Sequence, residues 1–227
     1  MSLDIPAPVT VGEHAYRTIR ADIIFARLKP GQKLGLERLK EDYDVSVSTL
    51  REILSRLASD GLVLAEGQRG FQVAPVSLTD LREIADLRLL LECHAIDVSF
   101  QGGDLEWEGA VVAAHHKLAL MEKQMLAGDR AQADVWKRYD LEFHRALISA
   151  CGSRAMIDMY GTVYDKYLRY LMVAMVFRGE VAAKEHEALL DCALKRDATR
   201  AKQILVSHIN ECVAFAGKSG HLDKAGR

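Results

Sequence analysis

Four residues of metal-binding type fall on the inward faces of three predicted helices: Asp140 with His144, then His186, then His208. Asp140 and His144 stand four apart in Asp-Leu-Glu-Phe-His, and residues i and i+4 of an α-helix share a face one turn apart. Trp136, Phe143 and Leu147 mark the apolar stripe around that pair. His186 shares a stripe with Leu189, Leu190 and Ala193, and His208 shares one with Ile204, Cys212 and Phe215. Ionisable groups are costly to bury unless they are paired or bound to something. One carboxylate and three imidazoles on core stripes therefore fit a single divalent ion. Three unrelated core histidines, each hydrogen-bonded locally, are the competing reading.

Arg88 is the other residue out of place. It falls on the apolar stripe Leu81, Ile84, Arg88, Leu91, Ala95, where a guanidinium needs an anion. It is either a bidentate clamp for a carboxylate effector or the ion-pair partner of Glu92 one turn on. A small hydroxy-, keto- or sugar acid could engage Arg88 and an open metal position together. Tyr164 and Arg169 are further candidates for lining that cavity. His115 and His116 are adjacent, so they face different directions and read as surface residues. Met121, Met125, Met156, Met159, Met172 and Met175 read as core filler.

These side chains need a scaffold, and the chain of 227 residues is long enough for two modest domains. At 49% hydrophobic and 27% charged it has globular rather than disordered composition. Its formal net charge of -2 does not announce a polyanionic partner. Cys93, Cys151, Cys192 and Cys212 are scattered without a Cys-x-x-Cys, which points to a reduced, cytoplasmic setting rather than a disulfide framework. The opening Met-Ser-Leu-Asp-Ile-Pro has no signal-peptide pattern, and the apolar run from Tyr170 to Phe177 is too short to span a bilayer. No membrane partner is expected.

All four prolines (Pro6, Pro8, Pro30, Pro75) lie at or before residue 75, and long amphipathic segments follow. The expected organisation is a flexible start over 1–10, a front domain over 11–75, a helical domain over 76–217 and a flexible tail over 218–227. The front domain reads as helices over about 11–28, 36–42 and 46–60, with Ser46 or Ser48 as N-cap of the third. Leu62 to Ala65, a glycine-bearing turn, and Phe71 to Val73 read as a two-stranded hairpin. Three helices and a hairpin make a winged helix-turn-helix, whose third helix can enter a DNA major groove. The second domain reads as an antiparallel bundle of six helices over roughly 78–101, 105–127, 130–150, 154–177, 180–195 and 198–217, so the fold class is mainly α.

DNA binding needs cations for phosphates and short polar groups for base edges. Arg38, Ser46, Ser48, Thr49, Arg51 and Arg56 supply both around the third helix. Capping serines on a purely structural helical unit are the alternative, since ten Lys/Arg from Met1 to Val76 are matched by ten Asp/Glu.

The run Leu28-Lys-Pro-Gly-Gln-Lys-Leu34, then Leu39-Lys-Glu-Asp-Tyr-Asp-Val-Ser46, Leu50-Arg-Glu-Ile-Leu-Ser-Arg-Leu57 and Asp60-Gly-Leu-Val63 resembles the N-terminal domain of GntR-type transcription regulators. The resemblance implies Arg38 and Arg51 as phosphate or guanine contacts, Ser46, Ser48 and Thr49 as operator-facing residues, and Gly70 as the wing tip. The family commonly has Arg after the Val-Ser and Pro before the hydrophobic-Arg-Glu run; Val47 and Thr49 stand there instead. A valine offers only apolar contact, so a different or weaker operator is implied.

Residues 78–217 resemble the FCD-type ligand domain of the FadR branch of that family. The matching residues are Leu87-Arg88 with Glu92, Asp140-Leu-Glu-Phe-His144, Glu185-His186-Glu187 and Ser207-His208-Ile209. In metal-binding members the Asp, the His four later and the two remaining His are the ligands, and all four positions are filled here. Zinc suits them best, with nickel or manganese as alternatives.

The resemblance implies a homodimeric, effector-responsive regulator, in most cases a repressor, on a palindromic double-stranded DNA operator. Two other readings stand beside it. One is a metal-dependent, hydrolase-like enzyme with an N-terminal interaction module, although Glu142 and Glu187 are both displaced from the ligand face as general bases. The other is a metal-free sensor of a larger apolar effector, as the resemblance to the FadR branch also allows, in which the histidines only pack.

Overall fold

Residues 10–129 and 131–222 are described in the computed structural model of the chain. Of the expected flexible ends, residues 1–9 and 223–227 lie outside them, while Thr10 and residues 218–222 are described. Thr10 is already structured: its hydroxyl accepts the Glu13 N–H at 3.2 Å and caps the first helix. The chain divides into two units between Val76 and Ser77.

The first unit runs α1 (Val11–Ile24), β1 (Lys33–Leu34), α2 (Leu36–Tyr43), α3 (Val47–Ser59), β2 (Val63–Ala65) and β3 (Phe71–Val73). Helix α3 buries Leu50, Ile53, Leu54 and Leu57, the i, i+3, i+4, i+7 stripe of an amphipathic helix. These meet Ile19 and Ile23 of α1, Leu39 of α2 and Val73 of β3 in one core. Burying each such side chain stabilises the fold by about 1.5–3 kcal/mol.

Helix α1 stops at Ile24 rather than continuing to Leu28. Ala26 adopts φ 57°, and the Leu28 N–H returns to the Asp22 carbonyl at 2.9 Å. That reversal carries Leu28 back against the core, where continued helix would have led away from it. The hairpin is also the larger part of a three-stranded antiparallel sheet of order β1-β3-β2, with Leu34 opposite Phe71 and Leu64 opposite Gln72. A two-residue strand such as β1 has no alternation for a sequence pattern to reveal. At the hairpin tip a single 3-10 turn spans Gly67–Arg69, and Gly70 takes φ 90°, ψ -138°, a conformation side chains resist.

Between α2 and α3, Asp44 takes a left-handed conformation (φ 49°) that ends one helix, and Ser46 starts the next. Its Oγ accepts the Thr49 N–H at 3.1 Å. Ser46→Ala should therefore lower stability by about 1 kcal/mol, the usual value of a lost N-cap. Urea unfolding of the full chain measures it; an unchanged midpoint would mean that the cap does not hold the turn.

The second unit comprises α4 (Leu78–Gly102), α5 (Leu105–Leu126), α6 (Ala133–Ile148), α7 (Arg154–Val173), α8 (Glu180–Leu194) and α9 (Ala198–Ser219). Ser77, Asp104, Ser153 and Asp197 each cap a helix by accepting the N–H three residues on. Helix α4 packs on α6, α7 and α9, while α5 packs on α6 and α8, and α8 on α9. Helix α7 ends at Val173, short of the expected Phe177. The Val176 N–H folds back to the Leu171 carbonyl at 3.0 Å, which buries Val176. Helix α9 reaches Ser219, past the expected start of the tail. Its buried stripe is Ala201, Leu205, His208, Ile209, Cys212, Val213 and Ala216; Phe215, expected there, is 43% exposed.

Candidate functional site

Helices α6, α8 and α9 bring His144, His186 and His208 together. Their ligand nitrogens lie within 4.8 Å of one another, and all three rings are buried. Asp140, one turn before His144, places Oδ1 3.5 Å from His186 Nε2. The four residues singled out in the sequence thus share one location.

Each imidazole is held from behind by a carboxylate. His144 Nδ1 donates to Glu92 Oε1 of α4 at 2.5 Å, His186 Nδ1 to Glu122 Oε1 of α5 at 2.6 Å, and His208 Nδ1 to Glu185 Oε2 of α8 at 2.7 Å. An ionised carboxylate only accepts, so each pair fixes the proton on Nδ1 and leaves Nε2 with its lone pair. Among the described residues Nε2 of His144 and of His186 has no hydrogen-bond partner, although both atoms are fully buried. Buried polar atoms in native structures nearly always have partners. A donor set of this kind, with its rings oriented by carboxylates, is how proteins prepare imidazoles for a metal.

The electrostatics agree. Burial pushes His208 down from 6.5 to about 3, outweighing its bond to Glu185, and burial likewise lowers His144. Both are therefore neutral imidazoles at neutral pH, the form that coordinates. Burial disfavours the charged form of Asp140, but the Lys137 ammonium, the neighbouring His144 and His186 and the Tyr164 hydroxyl hold its carboxyl well below the ordinary value. It is ionised and ready to ligate. Glu92, although buried, is brought down to about 2 by Arg88 and His144.

Arg88 has two aspects. Its Nε donates to Glu92 Oε2 at 2.9 Å, the internal ion pair weighed above, and Tyr160 donates to the same oxygen at 3.1 Å. Its guanidinium lies over the rings of Tyr164 and Tyr167 at 4.6 and 4.7 Å. Its Nη2 is buried without a hydrogen-bond partner among the described residues. Arg88 lines one cavity with Asp140, His186 and His208. The cavity is about 10 Å³, room for a single water or ion. Trp136, Leu171 and Val176 form one wall and also line an apolar groove of about 380 Å³ on its other side.

The other two expected lining residues lie elsewhere. Tyr164 donates to Asp140 Oδ2 and so orients that carboxylate instead of facing the cavity. Arg169 is buried on α7, where its charge interacts with Tyr170 and Asp80, and it does not line the cavity. His115 is half-buried, edge-on to Phe143 at 5.2 Å, rather than a surface residue. Met159 and Met175 are 53% and 74% exposed and are not core.

Sequence reasoning missed Glu122, Lys137 and Arg178. Glu122 lies between Met121 and Met125 on the buried stripe of α5, a signal as direct as that of Arg88. Lys137 is buried three residues before Asp140, with Nζ 3.6 Å from Asp140 Oδ2. Arg178 grips Glu185 through both terminal nitrogens, at 2.8 and 2.9 Å, and reaches the His208 carbonyl at 3.1 Å.

In the first unit Arg38, Ser48 and Arg51 are exposed, and Arg38 lies 3.4 Å from Asp42. Ser46 Oγ is shared with Ser48 Oγ and Thr49 Oγ1, each at 2.8 Å, so Thr49 is half-buried in the cap. Arg56 stacks over Tyr16 at 3.9 Å and pairs with Glu13. Gly70, expected at the wing tip, follows the Gly67–Arg69 turn that forms it and closes that turn, its carbonyl accepting the Glu66 N–H at 2.9 Å.

The family model described as bacterial regulatory proteins, gntR family, matches residues 11–73, and the FCD domain model matches residues 83–211. The HTH-type transcriptional regulator BphR of Paraburkholderia xenovorans (strain LB400) is 37% identical over 92% of this chain and 86% of its own length. The HTH-type transcriptional repressor GlaR of Escherichia coli (strain K12) is 30% identical over 86% of this chain and 90% of its own. The solved structure of E. coli McbR/YncC superposes with a TM-score of 0.76 at 19% identity, covering 93% of this chain and 99% of that one. The two gene-regulatory relatives, with the gntR-family match, remove the enzyme reading. Among the described residues no helix is long and apolar enough to cross a membrane.

The depressed acidities give the metal-free protein a defined acid response. His208 (6.5 to about 3), Glu92 and Glu185 (each 4.5 to about 2) all bind protons more weakly folded than unfolded. Their contribution is complete above the unfolded values and is lost as pH falls toward the folded ones. Chelator-treated protein should lose thermal stability progressively below about pH 6.5, and His208→Gln should reduce the slope between pH 6.5 and 5, leaving the part due to His144. A flat profile in wild type over that segment would contradict the placement of His208.

Proposed function

The chain belongs to the GntR family of bacterial transcription regulators and carries an FCD domain, and from that premise we propose that it is a repressor whose operator affinity is set by a small carboxylate effector held at a divalent-metal centre. The observation that carries the reading is the pair of buried Nε2 atoms, without a hydrogen-bond partner among the described residues, on imidazoles whose Nδ1 atoms are tied to carboxylates. Asp140, His144, His186 and His208 would hold the ion, with zinc first and nickel or manganese as alternatives. The bound ion would supply Lewis acidity and a coordination position for an oxygen donor.

Arg88 Nη2 gives the effector carboxylate a second, charge-assisted contact. Because α4, α6, α8 and α9 all contribute to the site, a ligand there changes how those helices pack. Altered packing becomes altered DNA affinity through a coupling free energy of about 1–3 kcal/mol. A homodimer presenting two α3 helices fits a palindromic operator.

Arg88 is not a clean probe of the effector, because removing its charge also frees Glu92, which holds His144. Glu122 is cleaner. Glu122→Gln should weaken metal binding about 10- to 100-fold by loosening His186, and His186→Ala with His208→Ala should abolish it. Chelator competition and elemental analysis measure both; metal content unchanged in the double variant would overturn the centre.

Arg51→Ala should weaken operator binding by about 1–3 kcal/mol for a base contact, or uniformly across sequences for a phosphate contact. Its folding should be unchanged, since Arg51 is exposed. Anisotropy titrations at fixed salt report it. Wild-type affinity would exclude α3 as the reading helix.

A further inference from the structure

Cys212 stands one turn beyond His208 on α9, and both belong to the buried stripe of that helix. Residues i and i+4 of a helix present their side chains to the same neighbourhood, as Asp140 and His144 do on α6. Of the four cysteines, Cys93, Cys151 and Cys192 do not line the cavity at the centre, whereas Cys212 lines it beside Asp140, His186 and His208. That cavity is about 10 Å³, so the polar atoms around it face one small occupant. His186 Nε2, buried and without a hydrogen-bond partner among the described residues, marks that occupant as a metal ion.

The thiol is not packed as a hydrocarbon. Its Sγ accepts from Arg178 Nη1 at 3.8 Å, and the same guanidinium holds Glu185 at 2.8 and 2.9 Å and the His208 carbonyl at 3.1 Å. A cation beside the sulfur gives the negative charge of a coordinated thiolate a partner in a buried place. The three imidazoles form the tight set, with ligand nitrogens within 4.8 Å, and the Cys212 sulfur stands outside it, as the Asp140 carboxylate does. Cysteine has one side-chain torsion with staggered positions, so the sulfur has a second place to go without movement of α9.

We propose that Cys212 is a further protein donor to the divalent ion, its sulfur exchanging the Arg178 contact for the metal, and that it makes the centre selective for thiophilic ions, zinc and cadmium over manganese. The inference rests on the metal-centre reading above and adds to it a donor and a metal class. A sulfur–metal bond forms, the thiol's proton leaves to solvent, and no oxidation state changes. Carboxylate oxygen suits manganese and imidazole suits zinc or nickel, while thiolate adds the preference for soft ions. Arg178 keeps its hold on Glu185, whose carboxylate orients His208, so gain or loss of the sulfur is transmitted to that pair.

Cobalt(II) in place of zinc reports its donors by absorption. Chelator-treated full chain titrated with cobalt(II) should develop visible d–d bands together with a near-ultraviolet sulfur-to-cobalt charge-transfer band. Cys212→Ser should lose the charge-transfer band and keep the d–d bands, while Cys93→Ser, Cys151→Ser and Cys192→Ser should keep both. In competition titrations the ratio of zinc to manganese affinity should fall in Cys212→Ser and hold at the wild-type value in the other three. The thermal midpoint of metal-free Cys212→Ser checks that the fold persists. Visible bands without charge transfer in the wild type, or a charge-transfer band that survives Cys212→Ser, would overturn the role of Cys212 and leave the metal centre intact. Failure of cobalt, zinc and manganese alike to bind the wild type would overturn both.

Discussion

The second unit is organised around three carboxylate–histidine pairs. Glu92–His144, Glu122–His186 and Glu185–His208 join α4 to α6, α5 to α8, and α8 to α9. Every helix in the bundle except α7 contributes a member, and α7 contributes Tyr160 and Tyr164, which donate to Glu92 and Asp140. Buried charges of this kind do not stabilise a fold as efficiently as well-packed apolar side chains. Their consequence is specificity of position: each ring can turn only one nitrogen toward the common centre. The core is therefore polar at its middle and apolar around it, with Phe143 edge-on to the rings of His144 and His186.

That constraint links ligand to packing. An ion or acid that moves one imidazole must also move a carboxylate on another helix. Arg88 and Arg178 extend the linkage, since each grips a carboxylate that in turn holds one of the three histidines. The walls of the small cavity are tied to five helices, so its occupancy is coupled to how those helices pack.

Much of this was legible in the sequence, for identifiable reasons. Asp140 and His144 announce themselves by four-residue spacing on an apolar face, and His186 and His208 by sitting among leucines. The helix-turn-helix was legible in the cap at Ser46 and the α3 stripe, and the six back helices in their glycine and aspartate punctuation. What escaped depends on tertiary contact. Glu122 stands on the buried stripe of α5 and its signal went unread, whereas the place of Lys137 shows only in its burial and its contact with Asp140. The early ends of α1 and α7 follow from Leu28 and Val176 turning inward, and local propensity does not report that. Strand β1 is too short to show alternation. Phe215 was assigned to the wrong face because the α9 stripe runs through Ile209 and Val213 instead.

The central claim is that the three imidazoles converge through Nε2 on one ion, each steered by its carboxylate. The most direct test is a crystal structure of the metal-loaded protein with anomalous data collected at the absorption edge of the metal found by elemental analysis. The account predicts a single anomalous peak within bonding distance of an Asp140 oxygen and of Nε2 of His144, His186 and His208, with all three Nδ1–carboxylate bonds kept. A peak elsewhere, or one ligated by Nδ1 with the carboxylate pairs broken, would contradict it.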